Sequence, residues 1–338
     1  MRSLGSPRHC GETRPIICRR SLLLAGGASI GPIVGRAQTS TWPRERPIEV
    51  VVPFPPGGGV DIMARAMLPF LAQHLPGATF VVVNRGGAGG QIGNEATAAG
   101  APDGYTIGAV SLPGFIALPI ERTVRYRPAE MTLLANVVDD PCGLFVRTES
   151  PLRSLADAVA AARPRPDTVT YGTTGIGSDD HITMLAFEQL TGAVFTHVPF
   201  TGMSQLFPQL LSGQVEIGAM NVSEALPIVA QGRLRGLGQA GEGRWTAMAD
   251  VPTYREQGID LIGSASRGFA APGRLPTPIR EKLEAAFTAV LADPVFLKEA
   301  ERLAMPVKPL VGQAYRDYLL SQEEGMRRLW QRRPWRDG

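Results

Sequence analysis

Cysteine is nearly absent from the chain: three in 338 residues, at Cys10, Cys18 and Cys142. Two of them lie in an N-terminal stretch that reads as a removable leader, so the rest has one thiol and no partner for an internal disulfide. Roughly 300 residues must then be held by core burial alone, a length that usually divides into two lobes. Histidine is also scarce: beyond the leader there are only His74, His181 and His197, with no His-x-x-x-His pair among them. Without cysteine pairs or an acid-rich loop of the EF-hand kind, no structural metal and no cofactor is expected, a cation bridging Asp180 and a bound carboxylate being the one alternative left open. Asp139-Asp140 and Asp179-Asp180 are paired carboxylates, but sequence neighbours point apart in strands and helices. No Lys-Ser or Lys-Thr follows a glycine run, which excludes a Walker-type phosphate loop. The one Gly-x-Gly-x-x-Gly, at Gly236, Gly238 and Gly241, leads into Glu242-Gly243-Arg244 rather than a helix, so it reads as a chance match.

The leader occupies residues 1–37. Arg19-Arg20 precedes a modest apolar run interrupted by Gly26, Gly27 and Gly31, and Gly35-Arg36-Ala37 supplies a small-x-small cleavage site. This is the pattern of a twin-arginine export signal, and its apolar run falls short of the roughly 20 residues a spanning helix needs. The leader carries six arginines and one acid, so of 34 basic and 31 acidic residues 28 and 30 remain, a net of −2. The basic isoelectric point therefore belongs to the leader, and nucleic acid is not an expected partner. The dense basic stretch from Arg327 to Arg336 reads as a solvated helix face.

What is present is an alternation of strands and helices. Strand-like runs at 48–52, 79–84, 105–110, 144–147, 169–171, 195–198, 215–219 and 234–239 alternate with helix-like runs at 62–74, 91–99, 154–163, 182–190, 203–211, 224–230, 277–291, 294–303 and 312–328. That order predicts an α/β protein with largely parallel sheets. The most informative stretch is 50–61, where an apolar strand runs through Pro53 into Gly57-Gly58-Gly59 and opens a helix. Glycines let the backbone approach a ligand, and the free N–H groups of a helix start attract a carboxylate or a phosphate. A plain tight connection is the alternative reading of the same loop. Val52-Pro53-Phe54 recurs as Val198-Pro199-Phe200, either an echo that would place related turns on either side of a cleft or a chance match of three residues.

From about Trp42 to Trp330 the chain resembles the Bug-type solute receptors, the extracytoplasmic binding subunits of tripartite tricarboxylate transporters. The resemblance is carried by Val52-Pro53-Phe54-x-Pro56-Gly57-Gly58-x-x-Asp61, Val83-Asn84-Arg85-x-Gly87-Ala88-Gly89-Gly90, Ala101-Pro102-Asp103-Gly104-Tyr105-Thr106, His197-Val198-Pro199-Phe200-x-Gly202 and Asp250-Val251-Pro252-Thr253. It implies a two-lobed periplasmic binding protein of the type II fold whose hinge the chain crosses twice. Lobe 1 would hold 42–139 and 263–338, and lobe 2 would hold 140–262. It also implies a monomeric, periplasmic, non-catalytic receptor that closes on a small carboxylate and hands it to membrane permease subunits.

The family pocket, matched residue by residue, implies Phe54, Pro56, Gly57 and Gly58 from the first loop and Ser111 from the end of the third strand. Lobe 2 would add Thr174, Ser178, Asp180 and His181, and Asn221. Backbone N–H groups and hydroxyls in such numbers compensate a desolvated anion without a fixed cation. Four positions depart from the family pattern: Leu112-Pro113 replaces Gly-Thr, Asp180 stands where a serine is usual, and Met220 replaces an aspartate. Asp180 in the pocket would repel a second carboxylate, which favours a ligand with one carboxylate and an apolar or donor-bearing far end. Alternatively Asp180 caps the following helix and faces away. Ser178, Asp180 and His181 bring a hydroxyl, a carboxylate and an imidazole together, but within one turn, and no Gly-x-Ser-x-Gly elbow accompanies them, so a serine hydrolase is the minor alternative. Presentation of the ligand to a membrane sensor is the other alternative to transport.

Overall fold

The computed structural model describes residues 42–164 and 166–335; the leader, and with it Cys10, Cys18 and the twin arginines, lies outside them. Ten strands and ten α-helices follow one another. The first group is β1 (Ile48–Val52), α1 (Gly59–His74), β2 (Phe80–Asn84), α2 (Gln91–Ala98), β3 (Thr106–Leu112), α3 (Gly114–Glu121) and β4 (Thr132–Arg147). The second is α4 (Leu155–Ala162), β5 (Thr170–Thr173), α5 (Asp179–Thr191), β6 (Thr196–Pro199), α6 (Met203–Ser212), β7 (Ile217–Asn221), α7 (Val222–Ala230) and β8 (Leu234–Gln239). The chain closes with β9 (Ser264–Ala271), α8 (Thr277–Leu291), α9 (Pro294–Arg302), β10 (Val307–Val311) and α10 (Gln313–Arg332). No described helix is long and apolar enough to cross a membrane.

One strand joins two sheets. The first half of β4, through Pro141, pairs antiparallel with β9, while its second half, from Cys142, pairs antiparallel with β7 and β8. The neighbour order runs β2-β1-β3-β9-β4-β7-β5-β6, with β8 and β10 added on β4. The sheets are therefore mixed rather than largely parallel: the parallel pairs are β1 with β2 and β3, and β5 with β6 and β7. Every pair made by β4 or β9 is antiparallel. Where β4 changes sheets, Cys142 N–H donates to Gly263 O (2.9 Å), Ala240 N–H to Cys142 O (2.7 Å) and Gly263 N–H to Ala240 O (2.9 Å). Three passes of the chain are thus stitched together at one place.

Each sheet carries helices on both faces, which buries its strands on both sides and explains their continuous apolar runs. On the first sheet, Val50, Val52 and Ile107 pack with Met63, Met67 and Leu71 of α1 and Phe287 of α8. Its other face holds Val110 and Leu112 with Phe115 and Ile116 of α3 and Tyr315 and Leu319 of α10. On the second sheet, Leu144, Val146 and Ile217 pack with Met184 and Phe187 of α5, and Phe145 and Met220 pack with Leu206, Leu210 and Ala225. Ile182 and Leu185 of α5 join the cluster under α3 and α10. The end of the chain reinforces that contact, since Arg333 pairs with the buried Glu188 of α5 at 2.7 Å. Arg327 and Arg328 do form the solvated face expected, paired with Glu323 and Glu324 one turn away, but Arg333 is recruited to another helix.

The two sheets share a local plan. In the first, β1 is flanked by β2 and β3 and feeds α1; in the second, β5 is flanked by β6 and β7 and feeds α5. The counterpart of the glycine turn is therefore the loop after β5, at 174–178. The repeated Val-Pro-Phe misled here, because β6 is an outer strand equivalent to β2.

Candidate ligand-binding site

The glycine turn is built as an exposed loop over a buried brace. Gly57 has φ +83°, open to glycine at low cost, and α1 begins at Gly59 with no side-chain cap. Asp61, 2 % exposed, accepts from Gly57 N–H (2.9 Å), Arg65 Nε (3.0 Å) and Asn84 Nδ2 (2.9 Å). Asn84 also donates to Phe54 O at 3.0 Å, so β2 fixes both ends of the turn. Burial pushes the Asp61 carboxyl up, but these donors outweigh it and hold the group below its ordinary range. Phe54 is half-buried, and Pro56, Gly57 and Gly58 are exposed.

Beneath the turn lies a residue that sequence reading missed. Arg267 of β9 sits directly opposite Ser111 of β3 in the antiparallel register. Its guanidinium lies so close to Gly59 that a Cβ there would fall 2.8 Å from Cζ. Although 8 % exposed, it is fully engaged on the other side: Nη1 donates to Asp140 Oδ2 at 3.0 Å and Nη2 to Asn221 Oδ1 at 3.1 Å. Asp140 is buried and also accepts from Ser223 N–H (3.2 Å) and the Ser223 hydroxyl. Burial works against the charge on Arg267, but the carboxylates of Asp140, Glu224 and Asp179 outweigh it and raise its pKa, so it stays a cation. The glycine turn, Ser111 and Asn221 thus meet around one fixed positive charge, which the resemblance did not lead us to expect. The available signal was a lone arginine in the small, apolar run Ser264-Ala265-Ser266-Arg267-Gly268-Phe269.

Asp139 and Asp140 point apart, as strand alternation requires. Asp139 turns to the first sheet, accepting from the Ser264 hydroxyl, Ser266 Oγ (2.6 Å) and Lys308 Nζ (2.9 Å). Burial raises its pKa, and these three donors more than reverse the effect.

The loop after β5 supplies the facing group. Ser178 is the N-cap of α5, accepting from His181 N–H at 3.2 Å; Asp180 is therefore not the cap but lies in the first turn. Asp179 is partly exposed, accepting from Asn221 Nδ2 at 2.7 Å and lying 3.3 Å from Cys142 Sγ. Asp180 is 1 % exposed, its Oδ2 only 3.5 Å from Thr174 Oγ1 and its Oδ1 without a partner. Burial, then the charges of Asp179 and Glu224, lift the Asp180 carboxyl well above its ordinary range. Burial also lifts Glu224 to about 7, against the pull of Arg267.

His181 does not join the acids. Its Nδ1 accepts from Gly177 N–H (3.0 Å) and its ring stacks on His197 with centroids 4.0 Å apart. Burial, and then His197, depress it to about 3, so the ring is neutral and structural. Ser178, committed to the helix cap, is likewise not presented to His181 as a nucleophile, and the three groups do not form a triad geometry.

Two sheets joined by a crossing strand, with loops from both meeting over buried polar residues, define the two-lobe fold of solute-binding proteins. The chain matches the Tripartite tricarboxylate transporter family receptor across residues 63–332 and belongs to that family. It is 30 % identical over 312 residues to the UPF0065 protein of the gbd 5' region of Cupriavidus necator, covering 91 % of this chain and 93 % of that one. It is 35 % identical over 244 residues to the protein BugT of Bordetella pertussis, covering 71 % and 74 %. Among solved structures, a TctC solute-binding protein from Polaromonas is similar with a TM-score of 0.75 at 28 % identity, covering 87 % of this chain and all of that one. MatC of Rhodopseudomonas palustris, with bound malate, is similar with a TM-score of 0.71 at 26 % identity, covering 84 % and 99 %. An R. palustris protein with adipate gives 0.76 at 28 % identity, covering 86 % and 97 %.

Proposed function

We propose that this protein is a non-catalytic periplasmic receptor, exported by the twin-arginine signal, that captures a small carboxylate between two lobes and delivers it to the membrane subunits of a tripartite tricarboxylate transporter. The observation that carries the reading is Arg267, a cation packed against Gly59 at the start of α1 and opposite Ser111. A carboxylate at the glycine turn would meet backbone N–H groups and a guanidinium together, and charge-assisted bonds of that kind are roughly twice as strong as neutral ones. Ligands of the malate and adipate type in related receptors support the class.

The lobes would be 42–139 with 263–338, and 140–262, hinged where β4 changes sheets and where 261–264 returns. The pocket would take Phe54, Pro56, Gly57, Gly58 and Ser111 from one side and Thr174, Ser178, Asp180, His181 and Asn221 from the other. Arg267 joins them from beneath the glycine turn. Asp140, Asp179, Asp180 and Glu224 crowd the second side, so a ligand with one carboxylate and a non-anionic far end fits the metal-free site better than a dicarboxylate.

The test is a thermal-shift screen against mono- and dicarboxylates, amino acids, pyridine carboxylates and the matching uncharged amides. A ligand at 100 times its dissociation constant adds about 2.7 kcal/mol of stability, a clear shift for a protein of this size. Response to a monocarboxylate and not to its amide is expected. Silence from every anion would refute the carboxylate assignment, and a dicarboxylate preference would remove Asp180 from the pocket.

A further inference from the structure

The second side of the site is short of positive charge. Asp140, Asp179, Asp180 and Glu224 act on one another and on a single cation, Arg267. Arg267 is already committed to Asp140 and Asn221, and Asp180, 1 % exposed, has no hydrogen-bond partner at Oδ1, with only the Cys142 thiol and the Thr174 hydroxyl beside its carboxyl. A buried carboxylate oxygen in that condition costs free energy unless something positive or donating reaches it.

Cys142, brought from β4, completes the geometry. Its Sγ and one carboxylate oxygen each from Asp179 and Asp180 lie within 4.8 Å of one another. The surrounding bonds orient these groups as outer partners do in metal sites. Asn221 Nδ2 holds Asp179 Oδ2 at 2.7 Å, and Thr183 Oγ1 lies 3.3 Å from Cys142 Sγ. The partial exposure of Asp179 leaves an approach from solvent.

We propose that Cys142, Asp179 and Asp180 form a binding site for a divalent cation of the zinc type. One sulfur and two carboxylate oxygens match the donor preferences of Zn²⁺, with a fourth position left for water. Binding would displace the thiol proton from Cys142 and any proton held by Asp180 into solvent, giving a thiolate and two carboxylates around the ion. The inference shares Asp180 with the proposed carboxylate pocket, but its test, metal uptake without any carboxylate present, is separate.

Co²⁺ is the probe, since thiolate ligation gives it a charge-transfer band. Purified protein, stripped with chelator, is expected to take up one Co²⁺ per chain with that band, and Zn²⁺ should displace it. Cys142→Ser should abolish the band, and Asp180→Asn should weaken Zn²⁺ by at least about tenfold, while circular dichroism shows both variants folded. If a variant fails to fold, Asp179→Asn, at the partly exposed ligand, serves in its place. Failure of stoichiometric uptake, a band that survives Cys142→Ser, or unchanged affinity in Asp180→Asn would each overturn the site. Carboxylate binding that persists with these negative results would leave the receptor reading intact.

Discussion

Removing Arg267 should cost more than removing the partner it holds. In Arg267→Met the side-chain stem keeps its place, but Asp140, 0 % exposed, loses its cation and retains only the two Ser223 donors. Stranding a buried charge in this way costs about 3–5 kcal/mol. Asp140→Asn is milder, at about 1–3 kcal/mol, because Arg267 still faces Asn221 and the Asp179 and Glu224 carboxylates. The double variant Arg267→Met with Asp140→Asn buries neither charge, so its loss should fall short of the sum of the two by about 1–3 kcal/mol. Urea unfolding at pH 7 of the four proteins measures this directly, with slopes checked for constancy. The cost of Arg267→Met should also shrink as pH falls, since burial raises Asp140 and a protonated Asp140 needs no cation. Additive losses, or a cost unchanged between pH 7 and mildly acid solution, would refute the view that this pair ties β4 to β9.

Three further outcomes are expected. Gly59→Ala would drive a methyl to 2.8 Å from Arg267 Cζ, a group pinned by Asp140 and Asn221, and should destabilise by about 1–3 kcal/mol, whereas Gly58→Ala, with only Pro55 O at 3.8 Å, should be close to neutral; thermal unfolding separates them. Glu224, raised to about 7 from an ordinary 4.5, holds in the folded state a proton that the unfolded chain releases sooner, so its contribution is complete below pH 4.5 and is lost as pH rises through 7. Its size, reduced because the side chain is partly exposed, is about 1–3 kcal/mol, and Glu224→Gln should remove that slope. His181, depressed to about 3, acts oppositely below pH 6.5, so the comparison must be made as variant against parent at each pH. Ser178→Ala removes the α5 cap on His181 N–H and should cost about 1 kcal/mol in chemical unfolding.

Elements with strong apolar periodicity were legible from the chain. β1 (Ile48–Val52), β8 (Leu234–Gln239) and α8 (Thr277–Leu291) begin and end where expected. β4 was read only at 144–147, because Asp139-Asp140-Pro141 interrupt its apolar run; tertiary partners on both sheets satisfy those acids and keep the strand continuous over 16 residues. β9, β10 and α3 went unread: β9 is rich in small residues, β10 is short and holds Lys308 and Pro309, and α3 carries an internal proline. The glycine turn was legible because a strand, a glycine run and a helix start follow one another in sequence. The Arg267 and Cys142 neighbourhoods were not, since each joins residues 37 to 127 positions apart through a register that only the folded sheets set.

The most direct test of the central claim is calorimetric titration of the protein with the tightest carboxylate found by screening, set against the amide of the same molecule. The account predicts one carboxylate bound per chain, no heat from the amide, and clear weakening in the Gly59→Ala variant that crowds Arg267. Equal binding of acid and amide, or affinity indifferent to that substitution, would contradict the anion site between the glycine turn and Arg267.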